Sequence, residues 1–171
     1  MALGKFMQAY EIALGLEYLH SRNIIHRDLK SPNVLLDEGD TIKLADFNLS
    51  KYIDTSSPML SSSVAGNMNP RWLAPELLVD GGMASTSCDI FSLGVIMWEI
   101  LTFNIPWSGV SSYTIQDKVK SGERLPYTYD ATIWQRGIYD VYVGLMNQCW
   151  SADPLRRPTA RAVVLTLKDI M

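Results

Sequence analysis

The chain has 171 residues, 47% of them hydrophobic and 19% charged, with a formal net charge of −3. That is the length of one domain, and the five Trp, eight Tyr and four Phe supply ample core material, so a disordered chain is excluded. The small acidic balance gives no electrostatic reason to expect nucleic acid or an anionic membrane as a partner.

Ala9, Ile12, Ala13, Leu16 and Leu19 share one helical face, which predicts an amphipathic helix over about residues 5–21. Short β-rich pieces follow: Ile24-Ile25, Val34-Leu35-Leu36 and Thr41-Ile42-Lys43-Leu44. The turn Asp37-Glu38-Gly39-Asp40 between the last two predicts a small hairpin. Residues 48–70 are rich in Ser, Asn and Pro and read as a long loop, of a kind that is usually functional inside a compact domain. From Pro75 onward helices are predicted at about 75–79, 87–102, 111–120, 135–149 and 159–170, with Thr159 as the cap of the last. The stretch Ile90 to Phe103 is apolar nearly all round, apart from Glu99, which marks a buried central helix. It is too short to span a bilayer, and Met1 to His20, carrying Glu11 and Glu17, lacks a signal peptide's apolar run. Cys88 and Cys149 form neither a disulfide framework nor a metal-ligand spacing, so the expected setting is reducing, intracellular and cytoplasmic. No period of 20–50 residues marks a repeat fold.

The informative stretch is His26-Arg27-Asp28-Leu29-Lys30-Ser31-Pro32-Asn33. It is followed by Asp46-Phe47-Asn48 and, across the long loop, by Ala74-Pro75-Glu76. These resemble the H-R-D-x-K-x-x-N catalytic loop, the metal-binding D-F-G and the closing A-P-E of a eukaryotic protein kinase. Asp89 to Gly94, Cys149-Trp150, Asp153-Pro154 and Arg157-Pro158 match the family's later motifs in order, so the resemblance covers essentially the whole chain. It implies a mainly α, protein-kinase-like C-lobe with small β-hairpins at the catalytic and metal-binding loops. Residues 1–171 would be a partial kinase domain, with the activation segment over 46–76.

The residue types suit that chemistry, because phosphoryl transfer is mostly positioning and neutralisation of charge. By the resemblance, Asp28 orients the acceptor hydroxyl and Lys30 faces the γ-phosphate. Asn33 and Asp46 offer hard oxygen ligands to Mg²⁺, and Leu35 floors the adenine site of ATP. His26 and Phe47 would stack beneath the metal site, and Asp89 would anchor the catalytic-loop backbone. Arg27 would pair with an activation-loop phosphate, for which Thr55, Ser56, Ser57, Ser61, Ser62 and Ser63 are candidates. That loop, 48–70, is expected to be the regulatory switch and the least ordered part. Glu76 and Arg157 would form a buried ion pair. His20 reads as a helix-end residue without a role. Lys30 favours protein Ser/Thr acceptors over Tyr, whereas Pro70 to Glu76 and Cys149-Trp150 look like the tyrosine-kinase-like branch.

Asn48 replaces the usual Gly of the metal motif, and Asn tolerates the left-handed backbone that Gly supplies. Asn69 replaces a Thr that bridges the positions of Asp28 and Lys30 in Ser/Thr kinases, and its amide can still hydrogen-bond. No Gly-rich loop and no lysine in V-A-I-K context occurs, so the N-lobe is expected to be absent and the isolated chain to have little or no activity. The apolar face around Leu35, Ala45 and Phe47 would then need the missing lobe or a partner to cover it. The alternatives are a kinase-derived scaffold without catalysis, or a fragment with no independent role.

Overall fold

In the computed structural model, which describes residues 2–52, 68–130 and 135–171, the first periodic stretch forms α1 (Ala2–Ser21). Phe6, Ala9, Ile12, Ala13, Leu16 and Leu19 are buried along it. After a turn through Asn23, at φ 57°, come β1 (Ile24–Ile25), β2 (Val34–Leu36) and β3 (Ile42–Leu44). β2 and β3 pair antiparallel, Leu35 opposite Lys43. Their turn is closed by Asp37, whose carboxylate accepts the N–H groups of Thr41 and Gly39 at 3.0 and 2.9 Å. Those two backbone bonds hold the Asp37 carboxyl below its ordinary pKa.

The segment read as an unbroken loop from residue 48 contains a strand, β4 (Lys51–Tyr52), antiparallel to β1. Two residues carry no detectable period, so only the pairing with Ile24-Ile25 reveals the strand. Residues 53–67, and with them all six candidate phosphosites, lie outside the described residues. The short helix expected over 75–79 is a single 3₁₀ turn, Pro75–Leu77.

The remaining elements are α2 (Thr86–Thr102), α3 (Ser112–Lys120), α4 (Arg136–Cys149) and α5 (Ala160–Asp169). α2 is the central rod: every side chain from Cys88 to Trp98 is buried, and Leu101 with them. Burial of Phe91, Leu93 and Met97 contributes about 1.5–3 kcal/mol each. α1 packs on α2 and α5, and α4 packs on α2 from another side. Phe103, left-handed at φ 57°, ends α2 by returning its N–H to Glu99 O. Thr159 caps α5 through the Ala162 N–H. Both cysteines lie in this core, and burial pushes their thiols up to about 12, so neither is a nucleophile near neutral pH.

Gly82 is buried under the Pro75–Leu77 turn, and a Cβ there would land on the Glu76 carbonyl oxygen. Backbone cannot yield as a flexible side chain does, so Gly82→Ala is expected to destabilise the chain by about 1–3 kcal/mol. Thermal unfolding reads this directly; an unchanged midpoint would refute it.

Candidate active site

The catalytic-loop stretch leaves β1 on the side of α2 that carries Asp89. This carboxylate is 1% exposed and accepts the backbone N–H groups of His26 and Arg27, each at 2.9 Å. Arg27 is held at φ 70°, a left-handed conformation that costs a residue with a Cβ about 1–3 kcal/mol. Two hydrogen bonds from one buried carboxylate supply the restraint. His20 was read as an idle helix end, but its Nε2 lies 2.9 Å from Asp89 Oδ2. Its position at the end of α1 aims it at the same carboxylate, a contact that no local pattern discloses.

His26 is fully buried. Its Nε2 donates to the Ala45 carbonyl at 3.1 Å, and among the described residues Nδ1 has no hydrogen-bond partner. The ring of Phe47 lies 5.1 Å from the His26 ring, so the two loops meet through this stack.

Asp28, Lys30 and Asn33 converge. Lys30 Nζ donates to Asp28 Oδ2 at 2.6 Å. The Asn33 amide donates to Asp28 O at 2.8 Å and to Asp28 Oδ2 at 3.1 Å. The extended backbone of Lys30 and the 3₁₀ turn Ser31–Asn33, opened by Pro32, fold the Asn33 amide back onto Asp28. Both donors leave Asp28 Oδ1 outside their hydrogen bonds, and the Asn33 Oδ1 oxygen is likewise uncommitted to them.

Asp46 is exposed and adopts φ 62°, ψ 68°. The left-handed residue of the metal-motif turn is therefore Asp46, and Asn48, where that backbone was expected, lies in a 3₁₀ turn, Phe47–Leu49. Asn48 instead uses its side chain: Nδ2 donates to Asp46 Oδ1 at 2.7 Å, a contact glycine could not make. Asn69 also departs from expectation. It is exposed and its Oδ1 accepts the Arg71 N–H at 3.2 Å, while Lys30 and Asp28 meet without a bridge. A short Asn side chain satisfies its nearest backbone donor first.

Leu35 and Phe47 are about half exposed, at 52% and 46%, and Ala45, which directly follows β3, is half-buried. Among the described residues no group of three or more His, Cys, Asp or Glu could enclose a metal. Asn33 and Asp46 as a pair of hard oxygen donors still fit Mg²⁺, which completes its shell with water and phosphate oxygens.

Near the start of α2, Arg157 and Glu76 meet as a bidentate pair, at 2.6 and 2.8 Å. The arginine side chain is fully buried and the glutamate 19% exposed. Sequence reasoning missed the polar contacts of four further residues, Ser31, Trp72, Ser92 and Glu99. Ser92 Oγ donates to Trp72 O at 2.8 Å, and Glu99 accepts from both Trp72 Nε1 and Ser31 Oγ. Burial raises the Glu99 pKa and those two donors oppose the rise. For Glu99 the available signal was a single carboxylate within the apolar stretch Ile90 to Phe103.

The chain thus places an Asp-Lys-Asn cluster next to a loop backbone held by a buried aspartate, beside an Asp-Phe turn. The family model described as protein tyrosine and serine/threonine kinase matches residues 3–167. The chain belongs to the protein kinase family. It is 36% identical over 163 residues to the tyrosine kinase receptor Cad96Ca of Drosophila melanogaster, covering 95% of this chain and 20% of that protein. To the serine/threonine-protein kinase CTR1 of Arabidopsis thaliana it is 35% identical over 170 residues, covering 98% and 19%. To the tyrosine-protein kinase receptor TYRO3 of Rattus norvegicus it is 38% identical over 162 residues, covering 94% and 17%. The chain thus spans about a fifth or less of the length of these relatives. No helix among the described residues is long and apolar enough to cross a membrane.

Proposed function

We propose that this chain is the acceptor-side, catalytic lobe of a protein kinase that transfers the γ-phosphoryl group of ATP to Ser or Thr hydroxyls of proteins. The observation that carries the reading is the cluster of Asp28, Lys30 and Asn33 within hydrogen-bond reach of one another. Asp28 accepts the hydroxyl proton of the acceptor as its oxygen attacks the γ-phosphorus, whose bond to the β–γ bridging oxygen breaks to release ADP. Lys30 releases its contact with Asp28 to face the phosphoryl oxygens and stabilise their charge. Asn33 and Asp46 would hold Mg²⁺, which when bound screens the phosphates. Leu35 would lie beneath the adenine. Lys30 in the catalytic loop supports Ser/Thr acceptors, while the relatives include both serine/threonine and tyrosine kinases at similar identity.

The half-site offers no Gly-rich loop or paired lysine for the other phosphates. Correct placement can supply about 7–11 kcal/mol of barrier lowering. Residues 1–171 alone are therefore expected to transfer phosphate orders of magnitude more slowly than a completed domain. The test fuses a nucleotide-binding lobe from a protein Ser/Thr kinase ahead of Met1 and assays Ser, Thr and Tyr peptides with MgATP. Transfer to Ser and Thr, lost by about 10²–10⁴ in Asp28→Asn, is the expected result. Nucleotide binding without transfer would favour a scaffold, and transfer to Tyr alone would overturn the acceptor class.

Arg27 supports regulation by phosphorylation. It is buried and, among the described residues, its Nε has no hydrogen-bond partner, an arrangement that an added phosphate would relieve. Phosphate on Thr55, Ser56, Ser57, Ser61, Ser62 or Ser63 is expected by mass spectrometry of the protein from active cells. Unmodified peptides throughout that stretch would count against it.

A further inference from the structure

Glu99 sits near the end of α2 with its two carboxylate oxygens committed to different parts of the chain. Oε1 accepts the Ser31 hydroxyl and Oε2 accepts the Trp72 indole N–H, each at 2.8 Å. Ser31 directly follows Lys30 in the catalytic loop. Trp72 stands just ahead of Ala74-Pro75-Glu76, is 6% exposed, and has its carbonyl held by Ser92 two turns earlier on the same helix. Both partners are neutral, so no opposing charge offsets the cost of drawing this carboxylate into an apolar helix. Two donors converge on it from separate segments, and each of its two carboxylate oxygens accepts one of them.

We infer that Glu99 is a positioning residue that couples the catalytic loop to the Trp72 segment, so that loosening either one loosens the other through a single carboxylate. Its functional meaning rests on the proposed phosphotransferase reading: Asp28 and Lys30 must keep one position relative to the segment that ends at Glu76. Coupling itself is a property of the folded chain and does not depend on catalysis. A failed transfer assay and a failed coupling test are therefore separate results.

The test uses ¹⁵N-labelled residues 1–171, with the Trp72 indole N–H resonance identified by its loss in Trp72→Phe. Ser31→Ala leaves the indole's own hydrogen bond chemically intact. Coupling predicts that this N–H nevertheless shifts and exchanges with solvent several-fold faster. Conversely, Trp72→Phe should shift the amides of residues 28–33 and speed their exchange. Glu99→Gln can still accept from Trp72 while Ser31 reverses its hydroxyl to accept from the new amide, so it should largely preserve both readouts. Glu99→Leu should lose both, with indole exchange about tenfold faster, the size of one lost hydrogen bond to a charged acceptor. If Glu99→Leu does not fold, the Ser31 and Trp72 variants decide the matter, because neither removes core volume from α2. Each variant disturbing only its own segment would overturn the inference, as would Glu99→Gln losing protection as completely as Glu99→Leu.

Discussion

Arg157→Ala is expected to lower the stability of the chain by about 3–5 kcal/mol, the cost of stranding one partner of a buried ion pair. The guanidinium does more than meet Glu76. Its Nε donates to Ser151 O at 2.9 Å and its Nη1 to Ser87 O at 3.0 Å, so one side chain joins the Glu76 turn, the start of α2 and the loop after α4. Its planar face also lies over Phe91, 5.1 Å from the ring centroid. Removing it leaves the Glu76 carboxylate and three carbonyls, those of Ser87, Ser151 and Ala152, short of a donor at once. For a chain of this length the loss corresponds to a fall in Tm of roughly 10 °C or more. Arg157→Lys keeps the charge but not the fork, so it should recover only part of the deficit. Thermal unfolding followed by circular dichroism measures both; an unchanged midpoint for Arg157→Ala would show that the pair is energetically idle.

Asp89→Ala should be nearly as damaging, by another route. It leaves the His26 and Arg27 amides buried without an acceptor, at about 1–3 kcal/mol each. It also frees Arg27 from the left-handed conformation that turns the chain toward Asp28. Asp89→Asn is no rescue, because it replaces one acceptor oxygen by a donor that faces an N–H. Hydrogen exchange at His26 and Arg27 is the sensitive reading. Both amides should lose protection in Asp89→Ala while amides in the middle of α4 keep theirs, apart from any global loss of stability. Persisting protection at His26 and Arg27 would show that the loop holds its shape without the carboxylate.

Much of this molecule is legible locally. The burial of Ala9, Ile12, Ala13, Leu16 and Leu19 follows from a period of 3.6 residues, and the β2–β3 hairpin from two apolar runs flanking an Asp-Glu-Gly-Asp turn. Asp28, Lys30, Asn33 and Asp46 were visible as candidates because they lie close together in sequence, in a family's order. β4 was not legible, since two residues have no period. Nor was the backbone of the Asp46–Asn48 turn. A propensity argument assigns the left-handed residue to the position that usually carries Gly, but the turn placed it at Asp46 and used the Asn48 side chain as a clasp.

By itself the sequence determined the helical periods, the apolar central rod and membership of the kinase family, because each depends on residue type at short, regular spacing. That Asp89 anchors the catalytic-loop backbone followed from the resemblance, but the tertiary structure alone decided which further groups share a buried carboxylate. His20 joins His26 and Arg27 on Asp89, and Ser31 joins Trp72 on Glu99, across separations of 27 to 69 residues. A buried carboxylate takes whichever donors the packing of α1, α2 and the loops delivers to it. Unlike helical burial, that choice leaves no periodic trace along the chain.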